Sequence, residues 1–404
     1  MEALKGIRIL EPGQLVAAPF ASALLGDFGA EVIKTELPEI GDPARRMPPM
    51  TPEGQAIWWK TVSRNKKSVT LDLRKPRGQD LFRELVKHAD VVLENFRPGV
   101  MDRWGLGWEE LRKINPRLVM ARQSGFGQDG PYANRPAYGM MVEAYGGMTY
   151  SNRYADSPPV VTGLCDYIAG LFIAKAIMVA LYHRDVHGGP GQLIDNAAAE
   201  NALRIAGDPH LTSLALGVQP MQRPPAKFPS WPKGALRMAG LFETGDGKFV
   251  NLHPGTPGTS IWENFCKGIG RPDFLDEQSY PHGSKERDRR GGEIERFVRD
   301  WFLARTRDEI VAFADRNAVT IAPVQDMADV LADPQFAHRG ALIDVPDEEM
   351  GMLKMVRTVP LLSETPGEVR SAGPALGAHN IEIYQGMLGL NDGEMASLRA
   401  EKII

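Results

Sequence analysis

The chain has 404 residues. A single hydrophobic core usually organises fewer residues than this, so two domains are expected. Its apolar content of 43% and charged content of 24% are ordinary for a soluble globular protein, and charges of both signs are spread along the chain to a net −4. This balance indicates no nucleic-acid surface. The two cysteines, Cys165 and Cys266, exclude a disulfide scaffold and favour a reducing compartment.

The chain carries no sign of a targeting or membrane segment. Its first residues, MEALKGIRILEPG, lack the long apolar region of a signal peptide. The longest apolar stretch, residues 168–182, is interrupted by Lys175 and is too short to span a bilayer. We therefore expect a cytoplasmic protein with neither a membrane nor a nucleic-acid partner.

The chain begins with two apolar strands that flank a helix. The strands are predicted at residues 7–11 and 32–36, and the helix at residues 19–28, ended by Gly29. Unbroken apolar strands joined in this way are typical of a parallel, doubly wound sheet. The first turn, EPGQLVAAP, is not the G-x-G-x-x-G dinucleotide motif, and the chain has no Walker A phosphate loop.

The order of strand, polar loop and helix repeats up to residue 206, after a loop-rich stretch expected at residues 41–64. Further strands are predicted at residues 68–73, 90–94, 118–123 and 193–196, with helices at 75–88, 108–114 and 197–206. Ligands bind such sheets at the carboxyl ends of the strands. The loops at residues 12–17, 95–99 and 124–130 should therefore line one crevice.

Composition changes after residue 216. A proline-rich linker at residues 218–234 precedes a hairpin around Asp246-Gly247 and a series of helices. The helices are predicted at residues 261–268, 294–304, 308–316 and 327–332, and a strand at 321–324. We predict an α/β protein: a Rossmann-like large domain with a parallel sheet in residues 1–216, a linker and smaller α+β domain in 217–330, and a return segment, 331–404, packing on the large domain.

Asp166 lies where a loop passes into a long apolar helix. Aspartate in such a place usually caps the helix, but the helix N-terminus also favours an ionised carboxylate that could act as a nucleophile. Its neighbour Cys165 has apolar flanks and no nearby histidine, which favours a buried thiol. The sequence contains no H-E-x-x-H, paired C-x-x-C or G-x-S-x-G motif. The residues alone leave both interpretations of Asp166 open.

Three arginines follow predicted strand ends: Arg74, Arg97 and Arg103. A single arginine at such a place is usually a solvated charge at a helix end. Three of them at one rim of the sheet could hold phosphates through charge-assisted hydrogen bonds. The chain therefore combines a crevice suited to an anionic, nucleotide-like ligand with one placed carboxylate.

Several stretches resemble the class III coenzyme A transferases, the family of formyl-CoA:oxalate CoA-transferase and the carnitine-pathway CoA-transferase. They cover nearly the whole chain and include LKGIRILE, LLGDFGAEVIKTE, SRNKKSVTLDL, DVVLENFRPGVMDRWGLG, SGFGQDGPYANRPAY and GLCDYIAGLFIAKAIMVALYHRDVHGGPGQLID. The SGFGQ…NRPAY segment is most similar to the carnitine-type branch. The resemblance implies an interlocked ring homodimer.

The resemblance also implies the chemistry. The aspartate at position 166 attacks an acyl-CoA thioester, and a mixed anhydride and then an aspartyl-CoA thioester form on it. The substrates would be an acyl-CoA and a free carboxylate, with no permanently bound cofactor and no metal. Relatives use carnitine derivatives, oxalate, or mono- or dicarboxylates with succinyl-CoA. We therefore expect a carnitine-like acceptor or a short mono- or dicarboxylate with succinyl-CoA as donor.

Individual contacts follow from the same resemblance. It places Gln14, Leu15, Val16 and Ala17 at the thioester, and assigns Leu71, Arg74, Asn95, Phe96, Arg97, Val100 and Arg103 to CoA and Tyr138 and Glu143 to the substrate. Val16 and Ser124 stand where the oxalate enzyme has a glutamine and a lysine. FPSWPKGAL replaces a glycine-rich shielding loop. These departures argue against oxalate as acceptor and leave the shielding of the intermediate to Trp231 or Tyr138.

Two other functions are compatible with the fold. A racemase or epimerase would move an α-proton, and the racemase relatives use a histidine in the segment that matches residues 135–143. No histidine occurs between His88 and His183, so Asp166 would lack its partner. A non-catalytic CoA-binding protein would keep the arginines but would have no need for a carboxylate at residue 166.

Overall fold

The computed structural model describes residues 2–153, 158–218, 240–253, 255, 260–279 and 285–404. Most of the predicted linker, with the FPSWPKGAL segment and Trp231, lies outside these residues. The chain divides into two compact units. The first unit holds residues 1–148, 161–208 and 335–404, and the second holds residues 149–160 and 209–334.

The first unit is built on a six-stranded parallel sheet. Its strands are β1 (Arg8–Glu11), β2 (Glu31–Glu36), β3 (Lys66–Thr70), β4 (Val91–Glu94), β5 (Val119–Ser124) and β6 (Leu193–Ala197). Their order is β3-β2-β1-β4-β5-β6, and every neighbouring pair is parallel. The chain winds in one direction from β1 to β3 and in the other from β4 to β6, so the topological switch point lies between β1 and β4.

Helices cover both faces of this sheet. Up to residue 206 the helices of the first unit are α1 (Ala17–Asp27), α2 (Ile57–Val62), α3 (Pro76–Val86), α4 (Val100–Arg103), α5 (Trp108–Ile114), α6 (Gly139–Tyr145), α8 (Cys165–Val186) and α9 (Ala198–Ala206). The short helix α7 (Met148–Ser151) has all but its first residue in the second unit. One apolar cluster joins α1 and α8 to the sheet, for example through Ala21 and Ile173. A second cluster packs Phe82 of α3 and Met101 of α4 on the sheet.

Strand β3 begins two residues earlier than the sequence predicts. Lys66 pairs with Val32 of β2 at the start of the strand. Its ammonium group is buried and lies 2.7 Å from the Glu11 carboxylate, which makes a lysine tolerable inside the sheet. The stretch at residues 41–64, expected to be loop, also contains α2, whose Trp59 is buried.

Helix α8 is, among the described residues, the one helix that is long and apolar enough to cross a membrane, with a mean hydropathy of 1.6. A core helix passes the same test. Ile173 and Ile177 of α8 are fully buried in the cluster shared with α1. The contacts of this face are therefore those of a helix that covers a sheet.

The return segment completes the first unit. It contains the antiparallel hairpin β10 (Leu342–Asp347) and β11 (Gly351–Val356), a π-helical turn at Ile381–Met387, and α16 (Asp392–Ala400). Buried Tyr384, Leu398 and Ile403 belong to the same apolar cluster as Phe82. The backbone N–H of Asp72 donates to the carbonyl of Ile403 at 2.8 Å. The last residues of the chain are thus part of the first unit's core.

The second unit contains a three-stranded antiparallel sheet and helices. Its strands are β7 (Gly240–Glu243), β8 (Phe249–Leu252) and β9 (Ile321–Pro323), with β8 in the middle. After α7, its α-helices among the described residues are α10 (Asp208–Ala215), α11 (Ile261–Gly268), α12 (Lys285–Leu303), α13 (Arg307–Asn317) and α14 (Met327–Ala332). The next helix along the chain, α15 (Pro334–His338), has all but its first residue in the first unit. An aromatic core that includes Phe265 and Phe302 joins the helices to the sheet. This is the α+β arrangement expected for the smaller domain.

Candidate active site

A pocket of about 300 Å³ opens at the carboxyl ends of β1, β4 and β5 in the first unit. The switch point of the sheet lies here, where ligands bind in doubly wound folds. The loops after these three strands, predicted to share one crevice, each contribute lining residues. The lining consists of Gln14, Leu15, Val16, Ala17, Asn95, Phe96, Arg97, Pro98, Gln123, Ser124, Gly125, Ala133, Arg135, Pro136, Ala137, Tyr138, Gly139, Val142, Asp166 and Ala198.

The loop after β1 is fixed by side chains from neighbouring segments. The Gln14 N–H donates to Asn95 Oδ1, and Asn95 Nδ2 donates back to the Gln14 carbonyl, both at 2.7 Å. Leu15 has a φ of 64°, which is rare for a side chain of its kind, and its N–H donates to Asp42 Oδ1 at 3.1 Å. These bonds hold the segment that reaches Ala17 against the pocket.

Buried charges support this loop from beneath. Lys34 Nζ lies 2.8 Å from Asp42 and 3.1 Å from Glu11, and it also donates to the carbonyl of Gly13. Burial opposes the charge on Lys34, but its carboxylate neighbours raise the pKa of the ammonium above its usual range. Since Lys66 also contacts Glu11, two cations and two anions share this site. The loop rests on a neutralised charge cluster.

Asp166 is the second residue of α8, and its side chain lines the pocket. Leu164 occupies the N-cap position, so the helix-cap interpretation of Asp166 is wrong. Burial raises the pKa of the Asp166 carboxyl, and a hydrogen bond from the Gly139 backbone N–H opposes that rise. A Cβ at residue 139 would lie 2.6 Å from both Cγ and Oδ2 of Asp166, so only glycine allows this approach.

Cys165 cannot compete with Asp166 as a nucleophile. Its side chain is fully buried, and Sγ lies 3.6 Å from the carbonyl of Ala198. Burial and the neighbouring carboxylates raise the pKa of the thiol to about 12. The group therefore stays protonated at neutral pH and packs in the cluster between α8 and α9.

Glu143, which the resemblance assigns to the substrate, lies behind the pocket wall instead of facing the pocket. Its side chain is fully buried, outside the pocket lining. Its carboxylate accepts hydrogen bonds from Thr162 N, Thr162 Oγ1 and Gly163 N, at 2.7, 3.1 and 3.0 Å. Glu143 therefore fixes the loop that leads into α8. Tyr138, in contrast, lines the pocket with an exposed ring.

The residues assigned to CoA divide into two groups. Gln14 to Ala17 and Asn95 to Arg97 line the pocket, whereas Val100 and Arg103 lie beyond it on α4. Arg97 and Arg103 form no ion pair with any other described residue. Leu71 is buried in the apolar cluster under α3, so its side chain is not available to a ligand.

The guanidinium of Arg74 is already engaged. It donates to both carboxylate oxygens of Asp72 at 2.8 Å, from a largely exposed position. Contact with a phosphate would have to compete with this bidentate pair. Arg74 is accordingly a weaker phosphate ligand than Arg97.

Apart from Tyr138, sequence reasoning missed the far wall of the pocket. Residues 133–139 supply six of the lining residues, among them Arg135 and Gly139. The Arg135 guanidinium lies 3.5 Å above the ring of Tyr132. The signal for this wall was the polar G-P-Y-A-N-R-P run after β5, which continues the loop predicted to line the crevice. Among the described residues, no group of three or more His, Cys, Asp or Glu side chains could hold a metal ion.

The chain matches known proteins over nearly its whole length. Residues 4–380 match the sequence model of CoA-transferase family III. The chain is 37% identical to succinyl-CoA–D-citramalate CoA-transferase of Chloroflexus aurantiacus, over 99% of this chain and 98% of the relative. It is 38% identical to the beta subunit of succinyl-CoA–L-malate CoA-transferase of the same organism, with the same two coverages.

A solved structure shows the same fold. The crystal structure of a CAIB/BAIF family protein from Brucella suis matches with a TM-score of 0.80 and 30% sequence identity, over 99% of both chains. The chain belongs to CoA-transferase family III. It is an enzyme that transfers CoA and uses CoA thioesters as substrates.

Proposed function

We propose that this enzyme moves CoA from an acyl-CoA donor to a free carboxylic acid through intermediates on Asp166. One observation carries the proposal. Among the residues that line the pocket, Asp166 is the one carboxylate, and the neighbouring thiol of Cys165 is buried and protonated. A carboxylate is the nucleophile that an exchange between thioesters and carboxylic acids requires, because it can form an anhydride and be released unchanged.

The first half-reaction loads CoA onto the enzyme. A carboxylate oxygen of Asp166 attacks the thioester carbonyl, the C–S bond breaks, and CoA leaves as the thiolate. The thiolate then attacks the Asp166 carbonyl of the mixed anhydride. The donor acid departs as its carboxylate, and an aspartyl-CoA thioester remains.

The second half-reaction reverses these steps with the acceptor. The acceptor carboxylate attacks the aspartyl thioester carbonyl and displaces CoA thiolate, which forms a second anhydride. The thiolate then attacks the acceptor carbonyl of that anhydride. The acceptor leaves as its CoA ester, and the Asp166 carboxylate is regenerated without net proton transfer.

Three features of the site suit this chemistry. Asp166 lies in the first turn of α8, where the helix dipole favours a negative charge. The Gly139 N–H donates to its carboxyl group and could stabilise charge that develops on the same oxygen during thiolate attack. Partial burial limits the access of water, which would hydrolyse an anhydride.

The substrates we propose are succinyl-CoA as donor and a short dicarboxylate as acceptor. The two Chloroflexus relatives named above act with succinyl-CoA on dicarboxylic acids. In this chain Arg97 and Arg135 line the pocket, and such cations can pair with a second carboxylate or with a CoA phosphate. A carnitine-like acceptor would bring a cation, and apart from Asp166 the described lining offers no carboxylate to meet it.

The pocket is large enough for the acyl and thioester end of the substrate but not for all of CoA. We therefore assign Arg97 to the part of CoA next to the thioester. We assign Val100, Arg103 and Arg74 to the parts of CoA that extend beyond the pocket. Apolar side chains are exposed on α8 and α9, including Leu171, Val179 and Leu203. Their burial between two copies of the chain is part of the proposal, as a homodimer that sedimentation would detect as twice the chain mass.

An exchange assay tests the proposed function. Purified enzyme is mixed with succinyl-CoA and a panel of monocarboxylates, dicarboxylates and carboxylates that carry a trimethylammonium group. New CoA esters are identified by liquid chromatography and mass spectrometry. Wild type and Asp185→Asn, an exposed carboxylate at the other end of α8, should give the same products. Asp166→Ala should give none while it still binds CoA. If Asp166→Ala formed new CoA esters at the wild-type rate, the assignment of Asp166 as the nucleophile would be refuted.

A further inference from the structure

Helix α6 contacts both the Asp166 carboxylate and the loop that precedes it. Gly139 and Glu143 are four residues apart, so they lie on one face of the helix, one turn from each other. The Asp166 carboxylate lies against the Gly139 backbone, where a Cβ would come within 2.6 Å of Asp166 Oδ2. A hydrogen bond from the Gly139 N–H lowers the pKa of that carboxyl group. Glu143 holds Thr162 and Gly163, which lie four and three residues before Asp166.

The Glu143 carboxylate is unusual because its partners are a hydroxyl and two backbone N–H groups, with no cation among the described contacts. All three donors belong to residues 162 and 163, at distances of 2.7 to 3.1 Å. A fully buried carboxylate is stable only when its oxygens are satisfied, so these bonds fix the loop firmly to α6. Gly163 has a φ of 75°, which lets the chain turn there into α8.

We propose that Glu143 is a positioning residue for the nucleophile: it holds the start of α8 against α6 so that the Asp166 carboxylate stays on the Gly139 N–H. This inference rests on the proposed role of Asp166 as the nucleophile. Glu143 itself touches neither the substrate nor the reacting atoms. Its effect passes through two backbone segments, residues 162–163 and the first turn of α6.

The role requires a carboxylate of this length. Glutamine has one acceptor oxygen, and its amide group would point donors at the donors of Thr162 or Gly163. Glu143→Gln should therefore lose the hydrogen bonds of one carboxylate oxygen to residues 162–163, while the volume of the side chain stays the same. Thr162→Val, at an exposed residue, removes the hydroxyl that donates to Glu143 and accepts from the Leu164 N–H at 3.4 Å, but it leaves both backbone donors to Glu143 in place. It should have a smaller effect in the same direction.

Steady-state kinetics with succinyl-CoA, normalised to the number of CoA-binding sites measured by calorimetry, tests the proposal. A misplacement of about 1 Å can cost on the order of 100-fold in rate, so Glu143→Gln should lower kcat about 10- to 100-fold with KM for acyl-CoA within about twofold of wild type. When kcat/KM is plotted against pH, its fall on the acid side, the acid limb, should move to higher pH in the variant. The reason is that loss of the Gly139 hydrogen bond disfavours the ionised form of Asp166. Thr162→Val should show both changes at smaller size.

The control is Asp27→Asn. Asp27 is also a buried carboxylate with several donors, from Arg64 and Asn65, but it lies at the opposite end of α1 from the pocket. This variant should lose stability and keep kcat per CoA-binding site and the position of the acid limb.

Unchanged kcat per site in both Glu143→Gln and Thr162→Val would overturn the inference, and so would a fall in kcat without a shift of the acid limb. These results differ from failure of the proposed function, in which Asp166→Ala itself would retain exchange. If Glu143→Gln does not fold, Thr162→Val alone decides between the same outcomes.

Discussion

The Asp166 carboxylate is partly buried and lies against the backbone of Gly139. Burial is the main influence on its pKa, and the hydrogen bond from Gly139 is the opposing one. A carboxylate held in this way is more basic than an exposed one, which favours attack on a thioester carbonyl. The arginines that line the pocket, Arg97 and Arg135, are then available for anionic parts of the substrates.

Arg97→Ala should raise KM for acyl-CoA about 10- to 100-fold and lower kcat much less. A charge-assisted hydrogen bond contributes about 1.5–3 kcal/mol, and a contact to CoA away from the reacting atoms serves ground and transition states alike. The matched control is Arg112→Ala, whose exposed guanidinium pairs with Glu109 on α5. Initial rates over a range of succinyl-CoA concentrations would check this. Equal KM values for both variants would remove Arg97 from the CoA site.

Single residues differ in how far their roles can be predicted from sequence. The nucleophile hypothesis for Asp166 depended on the surrounding motif, because its position at the start of an apolar helix is equally typical of a helix cap. The contacts of Glu143 were not predictable, because its partners are backbone N–H groups 19 and 20 residues away, which leave no pattern in side-chain chemistry. The ion pair between Arg74 and Asp72 was not predicted, because the two residues are two positions apart in the chain and their bidentate pairing depends on the local turn.

At the scale of elements, α8 and α1 approach most closely at Gly170. A Cβ there would lie 2.9 Å from the Ala17 carbonyl oxygen and 2.9 Å from Phe20 Cδ1. The backbone of α1 cannot yield without moving the first turn, which lines the pocket. The small residue therefore sets the spacing between the nucleophile's helix and the loop after β1.

Gly170→Ala should destabilise the protein, although alanine favours helix by about 1 kcal/mol over glycine. Overpacking at such a contact costs about 1–3 kcal/mol. Gly386→Ala is the control, since nothing lies within 4 Å of a Cβ at that residue. Thermal unfolding should give a lower Tm for Gly170→Ala than for Gly386→Ala. The reverse order would show that α1 and α8 are less tightly packed than described.

The pairing of β3 with the return segment should depend on pH through His379. Ser68 N–H donates to His379 Nδ1 at 3.1 Å, which requires a neutral imidazole. Burial lowers the pKa of His379 below the usual 6.5, with Glu382 opposing and Lys67 adding to the shift. The unfolded chain therefore binds the proton first, and stability is full above pH 6.5 and falls as the pH drops below it.

Chemical denaturation of wild type and His379→Gln at about pH 8 and about pH 5.5 would measure this effect. Glutamine can accept from Ser68 N–H at either pH, so the variant should lose less free energy of unfolding between the two values. An equal loss in both proteins would show that His379 does not contribute to the pH dependence.

Most elements were predictable because their apolar periodicity is strong, as in α11, whose bounds agree with the prediction at both ends. The failures have local causes. Strand β3 starts at Lys66 because a distant carboxylate, Glu11, neutralises the buried ammonium. Helix α6 was missed because it is short and exposes Met140 and Met141, so it lacks the one-sided apolar pattern of a longer helix.

At the scale of the whole molecule, the return segment makes the first unit depend on both ends of the chain. Fully buried Tyr384 donates its hydroxyl to the Thr70 carbonyl at 2.7 Å, at the end of β3. Its ring packs in the cluster with Leu10 and Ile33 of the central strands. The apolar core that packs on this sheet is therefore completed only after the intervening second unit has been synthesised.

Tyr384→Phe should lower the free energy of unfolding by about 1–3 kcal/mol, because it leaves the Thr70 carbonyl without that partner in an apolar core. Tyr182→Phe, on the exposed face of α8, is the matched control and should lie within about 0.5 kcal/mol of wild type. Denaturant titrations would compare the two. Equal stability of both variants would mean that the return segment contributes little to the core.

The central claim is that Asp166 carries the intermediates, and trapping one of them tests it most directly. The enzyme is incubated with succinyl-CoA in the absence of acceptor, quenched in acid, digested and examined by mass spectrometry. We predict that the peptide containing Asp166 carries a CoA or succinyl adduct that hydroxylamine removes and that Asp166→Ala does not form. An adduct on another residue, or no adduct in an enzyme that exchanges CoA, would contradict the account.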